Sequence, residues 1–421
     1  MEQNSNETFH VEQSQKIKIF ELSNGVKVVL SSADSSASYV GLFVASGSRE
    51  DEKYLGVSHL IEHAIFKGTS KHSYSDLMNI VESVGGEMNA YTAKEETCFQ
   101  IAIANNYIER AFSVLSEIFF DSIFPEEELE KEKTVVIDEI ESYEDVPSEM
   151  IYDDFEENLF AGHSLATNIL GTKKTVMKMK REDLLKMYKK LYIPNQLVVS
   201  YVGNEDLGKI SGLVERYFAQ SIENQSNNID KIQFVPRGTI FNLEKNKRTH
   251  QAHCVLGSFA PSMKNELKYA ASLLTNILGG VSFNALLNLK LREEKGLTYN
   301  IEANYTAYSD TGVFAVYFGT DYSKVSTCRQ VIAELFEDII KNGFSDEQLS
   351  AYKKQILGQL TVSDDNYMSL MLNNAKSVWW FNHVDSLEEV TEKINSITNE
   401  MVKEVAKMII SPENMNVLIY K

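Results

Sequence analysis

The chain has 421 residues, of which 43% are apolar and 10% aromatic, and its formal net charge is −19 at pH 7. This apolar content is enough to fill two hydrophobic cores, and no stretch approaches the roughly 18 apolar residues of a membrane-spanning helix. The acidic balance argues against nucleic-acid binding, which needs a basic face.

The N-terminus and the cysteines indicate a compartment. Residues 1–16 have neither an apolar core region nor an Arg-rich amphipathic pattern, so neither secretion nor import into an organelle is expected. The chain has three cysteines, which cannot all pair and are not spaced as metal ligands: Cys98, Cys254 and Cys328. Reduced thiols in a cytoplasmic protein are the simplest interpretation.

The first predicted element is a β-hairpin. Residues alternate in hydropathy from Lys16 to Leu30, and Asn24-Gly25 is a typical two-residue turn. Further strands and helices intermix without a regular βαβ rhythm. This pattern favours an α+β fold in which helices pack on a largely antiparallel sheet.

Residues 59 to 63, His-Leu-Ile-Glu-His, are the strongest chemical signal. At helical spacing His59 and His63 project from one face, and Glu62 lies beside them. A catalytic zinc needs three protein ligands and an open position for water, and HxxEH is the inverted form of the HExxH zinc motif. The alternative is a buried helix that carries two hydrogen-bonded core histidines.

The next segment, Gly85 to Thr92, leads from a helix into a strand. The strand is predicted by the alternation of Thr97, Phe99, Ile101 and Ile103. From these residues alone, Asn89 and Tyr91 are turn residues before an ordinary strand.

A helix is predicted from Pro125 to Tyr143, because proline and acidic residues open it and no glycine interrupts it. Its apolar stripe consists of Leu129, Val136 and Tyr143. Glu132 and Glu139 fall on the same stripe, where carboxylates are costly unless a cation or strong donors receive them. The alternative is an acidic face that extends around the helix.

The stretch from Gly56 to Gln100 resembles, almost throughout, the signature of the pitrilysin-type zinc peptidases, most closely the branch of mitochondrial processing peptidase and its bacterial relatives. The family's third ligand is a Glu about 75 residues beyond the second His, and 75 residues separate His63 from Glu139. The resemblance implies one Zn²⁺ per chain with these roles: His59, His63 and Glu139 as ligands, Glu62 as general base, and Glu132 as the carboxylate that orients a ligand.

The resemblance also implies the reaction and the substrate. It implies hydrolysis of peptide bonds in unfolded or short peptides within a closed chamber, with no nucleophilic side chain. It further implies that the strand beginning at Thr97 is a sheet edge that accepts an extended peptide by main-chain pairing. The candidate substrate contacts are then Asn89, Ala90 and Tyr91.

The chain also repeats itself. Residues 111–140 parallel residues 331–360 at a constant offset of 220, and residues 193–199 parallel 411–417. The second half has no HxxEH, and Gln359 stands at the position of Glu139. We therefore predict two homologous domains, 1–220 with the metal site and 236–421 without it, joined by a polar linker at 221–235.

Downstream, Leu291 to Tyr299 resembles the family's Arg/Tyr pair. By that resemblance Arg292 and Tyr299 bind the substrate carbonyl and stabilise the oxyanion. Without the zinc motif, such a pair would be ordinary surface and core residues. Relatives usually carry a Gly- and Ser-rich stretch before the pair, whereas here residues 278–280 run into Val-Ser-Phe-Asn.

The resemblance finally bears on partners. In this branch the Arg/Tyr pair reaches the zinc from the opposing chain, so a chain with both sets implies a homodimer, with a heterodimer of related subunits as the alternative. Two other classes compete with a peptidase: a non-catalytic peptide-binding or assembly subunit of the same fold, and a purely structural protein. The intact set of His59, Glu62, His63 and Glu139 argues against the first, and absence of bound zinc would favour the second.

Overall fold

The computed structural model describes residues 17–220, 234, 240–363 and 366–421. So far as the chain is described, it divides into two compact units. The first consists of Met1–Ile140, Thr167–Asp230 and Asp364–Val384, and the second of Glu141–Ala166, Lys231–Ser363 and Asp385–Lys421. The linker predicted at 221–235 lies, apart from Phe234, outside the described residues.

The strands of the described residues are, in chain order, β1 (Ile17–Glu21), β2 (Lys27–Ser32), β3 (Ala37–Val44), β4 (Glu87–Thr92), β5 (Thr97–Ala104), β6 (Leu197–Gly203), β7 (Asn242–Lys245), β8 (Ala252–Ala260), β9 (Asn300–Ala307), β10 (Gly312–Thr320) and β11 (Asn416–Tyr420). The predicted hairpin is confirmed, since β1 and β2 pair antiparallel around Asn24-Gly25.

The helices of the same residues are α1 (Val57–Ala64), α2 (Tyr74–Glu82), α3 (Ile108–Asp121), α4 (Glu126–Glu144), α5 (Pro147–Leu159), α6 (Lys173–Lys178), α7 (Arg181–Leu191), α8 (Leu207–Phe218), α9 (Lys268–Gly279), α10 (Val325–Asn342), α11 (Asp346–Ser363), α12 (Tyr367–Phe381), α13 (Leu387–Asn395) and α14 (Asn399–Ile409). None of them is long and apolar enough to cross a membrane.

The two sheets have the same strand order once β1 is set aside. The first sheet runs β1-β2-β6-β3-β5-β4 and the second runs β7-β11-β8-β10-β9. In each sheet one neighbouring pair is parallel, β2 with β6 or β7 with β11, and the other pairs are antiparallel. The predicted α+β fold with a duplicated, largely antiparallel domain is therefore confirmed.

Each sheet packs against helices on both faces, which explains why its central strands are buried almost throughout. In β2, Val28 and Leu30 belong to the main core of the first unit, whereas Val29 packs with Ala375 and Val378 of α12 on the other face. Helix α12 comes from the second half of the sequence, and α5, from the first half, belongs to the second unit. The predicted domain boundaries at residues 220 and 236 assign each half of the chain to one domain, so they do not describe this exchange of helices.

Candidate active site

Helix α1 presents the HxxEH residues, and the preceding loop fixes where it begins. Gly56 adopts φ +88°, a left-handed conformation that suits glycine. The Asp51 carboxylate accepts hydrogen bonds from the Gly56 and Ser58 backbone N–H groups at 2.8 and 3.1 Å. These bonds satisfy donors at the helix start, and His59 and His63 follow on one face.

Helix α4 supplies the carboxylates and begins one residue from its predicted start. Glu132 is 7% exposed, as its position on the apolar stripe predicts, whereas the Glu139 side chain is 45% exposed. The prediction that both carboxylates point into the core is therefore wrong for Glu139, which is half open to solvent. Buried Lys133, paired with Glu130 at 2.6 Å, was not expected from the pattern.

His59, His63 and Glu139 converge on one point. Glu139 Oε2 lies 3.7 Å from His59 Nε2 and 3.4 Å from His63 Nε2, and one ligand atom from each residue lies within 4.8 Å of the others. Ligand atoms of a tetrahedral zinc are about 3.3–3.6 Å apart, given metal–ligand distances of about 2.0–2.2 Å. Two imidazoles and a carboxylate in this arrangement fit a zinc ion.

Glu132 contacts the cluster through His63, at the ring nitrogen that does not face Glu139. Its Oε2 accepts from His63 Nδ1 at 3.3 Å, and its Oε1 contacts Lys67 Nζ at 2.8 Å. A carboxylate on the second ring nitrogen fixes the tautomer that leaves Nε2 free to bind a metal. Burial would raise the pKa of Glu132, but the hydrogen bonds from His63 and Lys67 lower it overall.

The two histidines have opposite electrostatic environments. Burial lowers the pKa of His59 to about 4, with a further contribution from the charge of His63, so His59 is neutral near pH 7. Burial also opposes protonation of His63, but hydrogen bonds to Glu132 and Glu139 raise its pKa to about 9. A metal ion at Nε2 would compete with this proton, so metal binding and protonation are linked.

Glu62 lies on the same helical turn and is partly buried. Burial raises its pKa, and a hydrogen bond from Thr92 partly opposes that rise. Thr92 Oγ1 donates to Glu62 Oε2 at 2.8 Å. A raised pKa suits a group that takes up and returns a proton near neutral pH.

The structure corrects the position of the sheet edge. The strand predicted from Thr97 is β5, which lies between β3 and β4, and the edge is β4, Glu87–Thr92. The edge depends on long-range pairing, which local alternation does not reveal. Asn89, Ala90 and Tyr91 are therefore strand residues rather than turn residues.

The hairpin alternation shows which main-chain groups of β4 face outward. Ala93 N–H donates to Glu96 C=O at 2.8 Å, which makes this a hydrogen-bonded pair, so Tyr91 and Asn89 pair inward and Ala90 faces the free edge. The Asn89 side-chain oxygen accepts from the outward Ala90 N–H at 2.8 Å. Tyr91 lies on the sheet face away from Thr92, where its hydroxyl donates to Glu96 at 3.0 Å.

Arg292 and Tyr299 lie in the second unit. Arg292 belongs to a π-helical turn, Asn288–Glu293, with its guanidinium 5.7 Å from the centre of the Phe283 ring. Tyr299 precedes β9 and is 91% exposed. Both line a cavity of about 280 Å³ that also includes Gly279, Gly280 and Ser282. Gln359, at the position corresponding to Glu139, donates to Ser282 Oγ at 2.7 Å.

Sequence reasoning missed Asp51, Lys67 and Thr92. Lys67 and Thr92 contact residues distant in sequence, and Asp51 accepts from groups of Gly56 and Ser58, so none of the three belongs to a periodic pattern. Thr92 ends the segment that contains the substrate-contact candidates, but no sequence pattern indicates that its hydroxyl contacts Glu62.

Comparison with known proteins identifies relatives over nearly the whole chain. Residues 27–173 match the profile described as insulinase (peptidase family M16), and residues 178–356 match the one described as peptidase M16 inactive domain. The uncharacterized zinc protease YmxG of Bacillus subtilis is 30% identical over 405 residues, which cover 96% of this chain and 98% of that protein. An uncharacterized zinc protease of Streptomyces coelicolor is 28% identical over 399 residues, 92% of this chain and 86% of its own.

Solved structures show the same fold. A protease from Helicobacter pylori has a TM-score of 0.90 at 20% identity, covering 96% of this chain and 99% of its own. A structure from Pseudomonas fluorescens described as a peptidase M16 inactive domain has a TM-score of 0.87 at 19% identity, covering 96% of this chain and 97% of its own.

Proposed function

Because this chain belongs to the insulinase-type peptidase family M16, as the resemblance of its sequence indicated, we propose that it is a zinc-dependent endopeptidase acting on unfolded or short peptides. The observation that carries the proposal is the convergence of His59, His63 and Glu139 beside Glu62. The closed chamber implied by the resemblance remains part of the proposal.

The proposed zinc ligands are His59 Nε2, His63 Nε2 and a Glu139 oxygen, with one zinc per chain. When bound, zinc makes water more acidic and polarises a peptide carbonyl. Glu132 holds His63 in its ligand tautomer. The low pKa of His59 supports this assignment, because a neutral imidazole is the form that binds a metal.

Glu62 is the proposed general base. Its carboxylate takes the proton from the attacking water and passes it to the leaving amine as the peptide bond breaks. Its place one residue before His63, together with its burial, supports this role. Arg292 and Tyr299 are the proposed donors to the carbonyl oxygen, where they would stabilise the developing negative charge.

Strand β4 is the proposed substrate-binding edge. The main chain of Ala90 faces outward and can exchange hydrogen bonds with an extended peptide. Asn89 would give up its contact with the Ala90 N–H when a peptide pairs there. The Tyr91 side chain lies on the sheet face away from Thr92. Tyr91 would therefore contribute to peptide binding through the backbone of β4 rather than by a side-chain contact on the α1 side.

The proposal extends to assembly and compartment. A homodimer would place two complete sets of proposed site residues in one assembly, and a heterodimer with a related subunit is the alternative. The three cysteines are free and buried, which supports a reducing compartment such as the cytoplasm.

The test is Glu62→Gln, which removes the base and leaves the ligands in place. We expect about one zinc per chain by elemental analysis, and loss of at least about 100-fold in cleavage of an unfolded fluorogenic peptide. Exposed Glu82→Gln on α2 is the control and should cleave as the wild type does. Full activity of the Glu62 variant would disprove this mechanism. Wild-type protein that takes up no added zinc would favour a non-catalytic peptide-binding subunit.

A further inference from the structure

The hydroxyl of Thr92 links the edge strand β4 to helix α1. Thr92 is the last residue of β4, and its Oγ1 donates to Glu62 Oε2 at 2.8 Å. It lies two residues from Ala90, so the two side chains share a sheet face. Ala90 packs against the core to which α1 contributes Leu60 and Ile61.

Glu62 needs such a contact to have a fixed orientation. The terminal torsion of a glutamate has a broad, two-fold energy profile, so burial alone does not set the carboxylate plane. Among the residues that the structure describes, Thr92 is the only one whose side chain hydrogen-bonds to Glu62. The bond engages Oε2, which leaves Oε1 to receive a proton.

The backbone that carries Thr92 is held against the loop preceding α1. Ser48 N–H donates to Ala93 C=O at 3.1 Å, and Arg49 N–H donates to Lys94 C=O at 2.8 Å. Gly47 allows this close approach, since a Cβ there would lie 2.1 Å from the Ala93 oxygen. The end of β4 is therefore fixed relative to the start of α1.

A buried ion pair fixes the same turn through side chains. Arg49 Nη1 lies 2.7 Å from Glu95 Oε1, and the two side chains are 2% and 5% exposed. Removing one partner of such a pair leaves an uncompensated buried charge, so the pair strongly opposes movement of the turn. Thr92, two residues before Lys94, is held by both sets of contacts.

We propose that Thr92 is a positioning residue that orients the Glu62 carboxylate for proton transfer and ties it to the strand on which the peptide binds. This inference rests on the proposed function. The hydrogen bond of Thr92 Oγ1 goes to Glu62 rather than to a proposed zinc ligand. Its loss should therefore affect the rate of the chemical step more than zinc binding or substrate binding.

The experiment compares Thr92→Val, which keeps the shape but removes the donor, with Thr92→Ser, which keeps the donor. We expect Thr92→Val to lower kcat by about 10- to 100-fold, a range typical of residues that support a catalytic group, with KM within about twofold of the wild type. Thr92→Ser should keep at least about half of the wild-type kcat. Zinc content and zinc affinity, measured by competition with a chromophoric chelator, should match the wild type in both variants.

Thr97→Val is the matched control. Thr97 is the register partner of Thr92 on β5, but its hydroxyl donates to the Ser46 carbonyl at 2.9 Å rather than to Glu62. An equal loss of kcat in this variant would show a general effect on the hairpin and overturn the proposal. The proposal would also be overturned if Thr92→Val had the kcat of the wild type or lost its zinc. It would likewise be overturned if Thr92→Ser had a kcat as low as that of Thr92→Val.

The wild type separates failure of this inference from failure of the proposed function. If the wild type shows chelator-sensitive cleavage and Thr92→Val has an unchanged kcat, the proposed peptidase function stands and only the role of Thr92 is disproved. If the wild-type protein binds zinc but cleaves no peptide, both the proposed function and the role of Thr92 are disproved.

Discussion

Asp51 is a buried carboxylate on which the start of α1 depends. Its oxygens accept from two backbone N–H groups and from Ser58 Oγ, the last at 2.6 Å. Burial raises the pKa of Asp51 to about 7, against the opposing effect of these hydrogen bonds and with a smaller contribution from Glu50. The residue that fixes the helix start therefore titrates close to neutral pH.

This pKa predicts how stability depends on pH. The pKa of Asp51 rises from 3.8 to about 7 on folding, so the native state binds more protons between these values. The contribution of Asp51 to the free energy of unfolding should then fall as the pH rises from about 4 to about 7. Asp51→Asn cannot ionise, so its stability relative to the wild type should increase across the same range.

Urea unfolding at several pH values between about 4 and 7.5 measures this difference. Ser36→Ala, at an exposed position, changes no ionisable group and is the control, so its difference from the wild type should be constant. A constant difference for Asp51→Asn as well would contradict the prediction.

At the scale of elements, β4 is proposed to bind peptide through outward main-chain groups. Ala90→Pro removes the outward N–H, and proline is tolerated on an edge strand where that group faces solvent. We expect KM to rise about 3- to 10-fold, the equivalent of one lost hydrogen bond, with zinc content unchanged. Ala90→Ser keeps the N–H and should have the KM of the wild type. Equal KM values for the two variants, measured with the same fluorogenic peptide, would count against binding at this edge.

Elements with a local pattern could be predicted from the sequence. Acidic residues after Pro125 place the start of α4 within one residue, and the i, i+4 spacing places His59 and His63 on one face. The order of strands could not be predicted, because it depends on pairing between distant segments. The partner of Glu62 was missed for the same reason: Thr92 lies 30 residues away and a lone hydroxyl has no periodicity.

At the scale of the whole molecule, the duplication is less symmetric than the sequence repeat suggests. Helix α8 packs on α3 in the first unit, where Arg216 pairs with Glu109 at 2.7 Å. The corresponding position on α10, at the offset of 220, is Arg329. When residues 193–199 are aligned with 411–417, the strand registers place buried Val28 and Leu30 of β2 at the positions of exposed Asn242 and Glu244 of β7. The second sheet has therefore become more polar where the first carries α8.

The exchange of helices explains why domain boundaries cannot be derived from the repeat alone. The Ser200 hydroxyl donates to the Met371 carbonyl at 2.7 Å, and Asn374 donates to Ser31 Oγ at 2.9 Å, within the first unit. In the second unit the Tyr420 hydroxyl donates to Asp154 at 2.6 Å. These partners are separated by 171, 343 and 266 residues. Each unit therefore needs residues from both halves of the chain.

The proposed dimer can be tested by mixing two inactive variants. Arg292→Ala lacks one proposed oxyanion donor and Glu62→Gln lacks the base, so each should be inactive alone. If the Arg/Tyr pair acts on the zinc site of the other chain, each mixed dimer has one intact site. After complete subunit exchange at equal amounts, half of the dimers are mixed, so about a quarter of the wild-type activity should return.

The alternative gives a different result in the same assay. If each site is completed within one chain, both chains of a mixed dimer carry a defect and no activity returns. Analytical ultracentrifugation of the mixture, with one variant fluorescently labelled, checks that subunits have exchanged. A mixture of wild type with Arg292→Ala is the control, because it measures the activity of a dimer in which one Arg/Tyr pair is defective. Activity near a quarter would mean that zinc and Arg/Tyr pair from different chains form each working site, so that neither chain is a peptidase without its partner.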